Sequence, residues 1–356
     1  MSLSLYFAGF ALAQLVGGPL SDAFGRRKAT LLFLGIFIFG SLLAALATDV
    51  RWLLAGRLVQ GIGASIGAAV ARAIVRDQFT GPQAARIMNT IGIMLSVGPA
   101  LAPTVGGMLL AAFGWQSIFL TLLAFGLVAA GSVLFFMKET ADPDRSLARP
   151  GRLLRAYGSL LADLRFLCGS SVLMGTIGAL YAQSTMLPFI LIKLVGLTPT
   201  QFGMGMLAQT GSYFLGSLAL RQAAPRLGGH RAAMTGLGFT LAGAISMLAS
   251  THFVAPSYLS IMLPVALCTF GLAMVSPHVV TATLAPFPHV AGSASALMGF
   301  IQMGGGFVAG SLAALVGTPL QAFGVIIPAM ELLAVASYIV FVGISRRHGS
   351  RSFDQA

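Results

Sequence analysis

A chain of 356 residues with 57% hydrophobic and only 8% charged residues cannot keep a surface dissolved in water, since soluble domains carry about 25% charged residues. Its mean hydropathy of +0.90 agrees. The net charge of +12 does not point to nucleic acid, because the basic residues lie between long apolar runs rather than on a soluble face.

A helix that crosses a bilayer needs about 20 mostly apolar residues. Eleven runs qualify: 3–21, 30–48, 52–73, 88–111, 116–137, 167–192, 202–220, 231–250, 257–280, 291–316 and 321–344. The first run has neither the basic n-region nor the A-x-A site of a signal peptide and reads as a span. In hydrocarbon every backbone polar group must be satisfied within the protein, so such runs are helices or barrel strands. These are too long for strands and show no alternation of period two. The expected fold class is an all-α polytopic membrane protein.

All Lys and Arg except Arg51, Arg57 and Lys193 fall in, or border, one set of alternating loops: 22–29, 74–87, 138–166, 221–230 and the tail after 344. The positive-inside rule puts that set, and the C-terminus, in the cytoplasm. The longest polar stretch, 138–166, separates five spans from six. The expected organisation is an N-terminal helical bundle (1–137), a cytoplasmic linker (138–166) and a C-terminal six-helix bundle (167–356). Within the linker, Leu153, Leu154, Tyr157, Leu160, Leu161 and Leu164 recur at helical spacing. They predict an amphipathic helix on the membrane surface, or else an early start of the next span. The two halves also share a turn: Phe24-Gly25-Arg26-Arg27-Lys28 in one and Leu227-Gly228-Gly229-His230-Arg231 in the other. Parallel repeats of six helices are a recurring transporter plan.

Three segments carry possible chemistry. In Gly18-Pro19-Leu20-Ser21-Asp22-Ala23-Phe24-Gly25-Arg26-Arg27-Lys28, Gly25 suits a tight turn. Asp22 there can pair with Arg26 or Arg27 as a latch between the halves, or the loop serves topology alone. In Arg57-Leu58-Val59-Gln60-Gly61-Ile62-Gly63, Arg57 either snorkels to the interface or turns inward to a carboxylate or a cavity. Gly61, Gly63 and Gly67 would let neighbouring helices approach. In Gly98-Pro99-Ala100-Leu101-Ala102-Pro103-Thr104-Val105-Gly106-Gly107, two prolines remove two helix hydrogen bonds, which predicts a kinked, closely packed helix.

Taken in this order, the three segments resemble the signatures of the major facilitator superfamily, drug/proton antiporter branch. The G-x-L-x-D-x-x-G-R-[RK] loop matches at Gly18, Leu20, Asp22, Gly25, Arg26 and Arg27. The R-x-x-Q-G-x-G element matches at Arg57, Gln60, Gly61 and Gly63. The proline pattern at Gly98, Pro99, Pro103, Gly106 and Gly107, with the Lys138-Glu139-Thr140 ending, is similar to the bicyclomycin/chloramphenicol-resistance (Bcr/CflA) subfamily. The resemblance implies the major facilitator fold of two helical bundles. It also implies proton-coupled efflux of drugs or other small, largely apolar molecules by alternating access, in a bacterial inner membrane, by a monomer. In the family the G-x-L-x-D loop follows the second helix, whereas here it follows the first span. The family's first helix, which usually bears an acidic residue, is therefore expected to be absent, leaving eleven spans (5 + 6). A further span encoded upstream of Met1 is expected with it, and inactivity of the shorter form.

Polar residues inside spans are candidate cavity groups: Tyr181, Gln183, Gln209, Tyr213 and Gln302. Met186, Met206, Met274 and Met303 are candidate adaptable contacts for an apolar ligand, and each of these residues reads equally as interhelical packing. Glu331, the carboxylate deep within a span, is a candidate for proton coupling alongside Arg57 and Gln60. No cofactor is expected: there is no G-x-x-x-x-G-K-[ST] loop, and no Cys/His spacing suits a metal. Cys168 and Cys268 read as small buried residues. The expected partners are a drug-like molecule, protons and lipid, with no nucleic acid. The alternatives are a proton-coupled metabolite uptake symporter of the same fold and an inactive fragment. A membrane enzyme would need a catalytic cluster that the sequence lacks.

Overall fold

The computed structural model describes residues 2–79, 81–140, 150–287 and 290–347. In chain order the helices are α1 (Ser2–Phe24), α2 (Arg26–Ala45), α3 (Val50–Ala64), α4 (Gly67–Gln78), α5 (Gly81–Phe113), α6 (Gln116–Phe136), α7 (Pro150–Leu161), α8 (Leu164–Leu173), α9 (Ala179–Pro188), α10 (Pro199–Gly205), α11 (Leu207–Leu227), α12 (Gly229–Phe253), α13 (Tyr258–Leu284), α14 (Ala291–Ala313) and α15 (Pro319–Arg347). Two π-helical stretches, Met174–Gly178 and Phe189–Leu194, flank α9. Each of the eleven apolar runs is helical over most of its length, and no strand occurs among the described residues. Among those residues nine helices are long and apolar enough to cross a membrane. The runs at 88–111 and 202–220 lie in α5 and in α10–α11.

Local chemistry sets the boundaries. Asp49 caps α3 by accepting from the Arg51 and Trp52 amides at 2.7 and 3.1 Å, and Asp163 caps α8 through the Phe166 amide at 2.8 Å. Reciprocal capping boxes open α10 (Thr198 with Gln201) and α13 (Ser257 with Ser260). The run at 52–73 is not one helix: it breaks at Ser65–Ile66 between α3 and α4. Glycines on either side weaken the helix there, and the Ser65 hydroxyl donates to the Ile62 carbonyl at 2.8 Å. By contrast, the prolines of α5 do not interrupt it, and residues 81–113 are helical throughout.

The chain gathers into two compact units. The first comprises residues 1–101, 108–159 and 290–300; the second comprises 102–107, 160–289 and 301–356. In the first, α3 lies between α1 and α2 at contact distances that only glycine permits. A Cβ on Gly61 would strike the Tyr6 carbonyl, and one on Gly63 the backbone of Phe37. Gly67 differs from this expectation: nothing lies within 4 Å of an added Cβ, because the helix has already broken there. In the second unit α12 and α13 meet at Gly236 and Gly271, where a Cβ on Gly236 would come within 2.8 Å of the Gly271 carbonyl.

The repeated turn is visible in the backbone. Gly25 (φ 95°, ψ 149°) precedes α2, and Gly228 (φ 79°, ψ 159°) precedes α12. Both conformations are open essentially to glycine alone.

Residues 141–149 of the expected linker lie outside the described residues. Beyond them α7 is a helix of its own, separated from α8 by Ala162 and Asp163. Its apolar residues split into two sets. Leu153, Tyr157 and Leu160 are at least partly buried, whereas Leu154, Leu161 and Leu164 are exposed to the surroundings.

Candidate functional site

The first cluster grows from the α1–α2 turn. Helix α2 begins with backbone N–H groups that its own residues cannot satisfy. Glu139, just beyond the end of α6, supplies the missing acceptor: its carboxylate accepts from the Arg26 amide at 2.6 Å and the Arg27 amide at 3.3 Å. A carboxylate also suits the positive end of the helix dipole. A Cβ on Gly25 would run into that carboxylate, so this glycine is needed for space as well as for φ. The capping is mutual, since Arg27 Nη2 donates to the Leu134 carbonyl in the last turn of α6 at 2.8 Å.

Arg26 closes the cluster. Its Nη1 donates to Asp22 Oδ1, and to Ser21 Oγ at 2.7 Å; its Nε donates to Asp77 Oδ2 at 3.1 Å. The Arg26 side chain is 11% exposed, so its ion pairs to Asp22 and Asp77 are screened less than surface pairs. Asp22 thus pairs with Arg26. All of these partners belong to the first unit, so the knot ties α1, α2, α4 and the end of α6 together.

A second tie comes from α7. Pro19, inside α1, has no N–H, which leaves the carbonyl four residues earlier, that of Leu15, without its helix donor. The Tyr157 hydroxyl donates to it. Burial pushes the Tyr157 phenol up to about 12, which keeps the donor proton in place.

The third cluster lies on α3. Arg57 Nη1 donates to Gln60 Oε1, one turn on; Gln60 Nε2 donates to Ser41 Oγ at 2.8 Å, and Ser41 to the Phe37 carbonyl at 2.8 Å. Gln60 and Ser41 are fully buried. The guanidinium lies 4.5 Å from the Tyr6 ring centroid and 5.8 Å from that of Phe119. Arg57 therefore turns inward, held by an amide and two aromatic faces.

The remaining expected residues are dispersed. Gly18 has open space around it, its carbonyl accepting from Ser21 Oγ at 2.8 Å, and Leu20 packs on the Ala13–Ala29–Phe33 cluster. In α5, Thr104 Oγ1 donates to the Gly203 carbonyl at 3.0 Å, and a Cβ on Gly203 would lie 2.6 Å from the Pro103 carbonyl. Gly107 abuts the Pro199 carbonyl, whereas Gly106 has nothing near it. Gly98 and Pro99 are helical, and their surroundings lie outside the described residues. Tyr181 packs on Gly306, one turn of α14 beyond Gln302. Gln183 is buried; Gln209 is 9% exposed, and its Oε1 has no hydrogen-bond partner among the described residues. Tyr213 follows Gln209 by one turn of α11. Three of the four candidate methionines are buried in packing: Met186 and Met206 belong to one apolar core with Cys268, and Met274 packs beside Gly236. Long apolar side chains fill gaps between tightly approaching helices, so these three are not free to line a cavity. Sequence reasoning missed Asp77, Ser41 and Tyr6, and cited Glu139 only for resemblance. Asp77 had a signal, being the carboxylate of an otherwise basic inward loop.

Bundles of long apolar helices, a repeated glycine turn and an intramembrane arginine define a polytopic helical transporter. The sequence pattern of the Major Facilitator Superfamily matches residues 1–310, and the chain belongs to that superfamily. It is 29% identical over 358 residues to an uncharacterized MFS-type transporter, YdgK, of Bacillus subtilis, covering 97% of this chain and 86% of the relative. It is 27% identical to multidrug resistance protein D of Escherichia coli, covering 95% of this chain and 84% of that one. The crystal structure of the human organic anion transporter MFSD10 superposes with a TM-score of 0.65 at 22% identity, covering 96% of this chain and 82% of that one, a likeness of fold.

Proposed function

We propose that this transporter exports small, largely apolar molecules from the cytoplasm in exchange for protons, by alternating access, within the drug/proton antiporter branch and its Bcr/CflA group. The observation that carries the reading is the Arg26 knot. One partly buried guanidinium holds two carboxylates from different helices, and a third carboxylate caps its helix. Such a cluster holds α1, α2, α4 and the end of α6 together as one body, which suits a carrier that changes state by moving whole groups of helices. The relatives described as multidrug resistance proteins support drugs as the cargo. The positive-inside bias supports a cytoplasmic position for this knot and for the C-terminus. Arg57 and Gln60 are proposed for proton coupling or the cavity, and Tyr181, Gln183, Gln209, Tyr213 and Gln302 as substrate-cavity groups.

The test uses inverted membrane vesicles with ethidium as the probe. An imposed proton gradient, acidic inside, should drive ethidium into the vesicles, and a protonophore should abolish the accumulation. No gradient-driven uptake by the well-expressed protein would sink the reading. Gradient-driven loss from preloaded inverted vesicles would replace it with an uptake symporter.

A further inference from the structure

The second unit holds a set of protonatable side chains that the sequence reading did not connect. Helices α12, α13 and α15 bring His230, His278 and Tyr338 together at the end where α12 starts and α13 and α15 finish. His230 Nδ1 lies 2.8 Å from the Tyr338 hydroxyl, and the two rings stack at 5.8 Å. The His278 ring is 6.4 Å from that of His230. His278 is 4% exposed and Tyr338 3%.

Seven residues before Tyr338, two turns back on the same face of α15, stands Glu331. It is 3% exposed, and its Oε2 has no hydrogen-bond partner among the described residues. Cys268 of α13 is within electrostatic reach of it. Burying a lone ionised carboxylate costs several kcal/mol, so in this packed arrangement Glu331 is accommodated as the neutral acid, holding a proton. The rise along α15 puts Glu331 about 10.5 Å from the histidine level. Between the two levels each helix presents an apolar residue: Leu237, Val275 and Ala334, all buried.

We propose that Glu331 carries the coupling proton in the second unit and that His230, His278 and Tyr338 form the station through which it is exchanged with the cytoplasm. The inference rests on the proton-exchange reading above. When water enters the apolar layer, the Glu331 carboxyl releases its proton and becomes a carboxylate, and an imidazole of the pair takes that proton up. With the imidazole proton on Nε2 the Tyr338 hydroxyl donates to His230 Nδ1; once Nδ1 is protonated it donates to the Tyr338 oxygen instead, and the phenol hydrogen turns to the His230 carbonyl 3.4 Å away. The imidazolium then yields its proton to cytoplasmic water. The ionic groups brought to this end by the packed helices are Arg165 of α8, Arg221 and Arg226 of α11, Arg231 of α12 and Arg346 of α15, with Asp163 as the cap of α8. This mainly cationic setting opposes a charge on both histidines together, so the pair carries one proton at a time. Histidine is the side chain whose ordinary titration falls between pH 5 and 8.

The experiment measures proton release from purified protein in weak buffer on adding ethidium, and gradient-driven ethidium uptake in inverted vesicles at bath pH 6 to 8. Glu331→Gln should abolish both, and Glu331→Asp should restore proton release. His278→Asn and His230→Asn should each lower uptake about tenfold and flatten its dependence on bath pH. Tyr338→Phe, which keeps the ring, should shift that dependence and serves where a histidine variant does not fold. Glu331→Gln that still releases protons, or histidine and Tyr338 variants with the wild-type pH profile, would overturn the proposal while leaving proton-coupled export standing. A wild-type protein that neither accumulates ethidium nor releases protons removes both readings.

Discussion

The same glycine turn joins α1 to α2 in the first unit and α11 to α12 in the second, yet the two are finished with different chemistry. After Gly25 the chain places Arg26 and Arg27, and carboxylates from three segments close on them. After Gly228 it places Gly229 and His230, and a tyrosine closes on the imidazole. A shared backbone bend, fixed by a positive φ, has thus been kept while its side chains took separate tasks. The first turn depends on ion pairs and helix caps. The second depends on a hydrogen bond between an imidazole and a phenol.

Replacing the bend itself should give the largest effect. Gly25→Ala and Gly228→Ala each force a side chain into a conformation costing about 1–3 kcal/mol. Gly25→Ala should be the worse of the two, since it also displaces the Glu139 cap. Thermal unfolding in detergent would compare them, and equal losses would remove the capping carboxylate from the account. Next come the ion pairs. Asp22→Asn should reduce transport severalfold while the protein still inserts at normal levels, and Arg26→Lys should not substitute for arginine, because lysine lacks the planar fork that reaches Asp22 and Asp77 together. Normal ethidium export by well-expressed Asp22→Asn would reduce the turn to a topology signal.

Arg57 extends the contrast, being a guanidinium with amide and ring partners in place of the acids around Arg26. Arg57→Ala should abolish transport, and Arg57→Lys should fail to rescue it, in the same uptake assay. Glu139→Gln keeps the shape of the cap and loses its charge, so a stability loss of about 1 kcal/mol is expected. Tyr157→Phe should show a comparable change, about 1 kcal/mol, because it leaves the Leu15 carbonyl without its donor. A Pro19→Ala background should abolish even that difference, since α1 then supplies its own N–H.

Length and hydropathy were enough to find the nine membrane-length helices of the described residues, because lipid leaves the backbone so few choices. The turn at Gly25 and the pairing of Asp22 were also readable, since Gly, Asp and Arg lie within one turn of each other. What stayed hidden was everything joined across long stretches of chain. Glu139 reaches back to Arg26 and Arg27, Tyr157 to Leu15, and Tyr338 to His230. Nothing local marks such pairs. Packing decided what composition left open: Met186 and Met206 suited a cavity or interhelical packing equally, and both lie in an apolar core. Gly67 suited a helix contact, yet stands after a break at Ser65.

The two π-helical stretches around α9 have a consequence for chain length. Val195 donates to the Ile190 carbonyl, five residues back, at 2.9 Å. Such a turn holds one residue more than an α-helical turn and often arises as an insertion within an α-helix. Removing one residue from Met174–Gly178 should therefore close the wide turn into an α-helical one and leave the faces that follow nearly unchanged, whereas removing one at the start of α9 should rotate all that follows by about 100°. The second deletion, unlike the first, would carry Tyr181 off Gly306 and turn the buried Gln183 to a different neighbour. The segment from Leu164 to Leu194 thus carries its slack at two marked points and none between them.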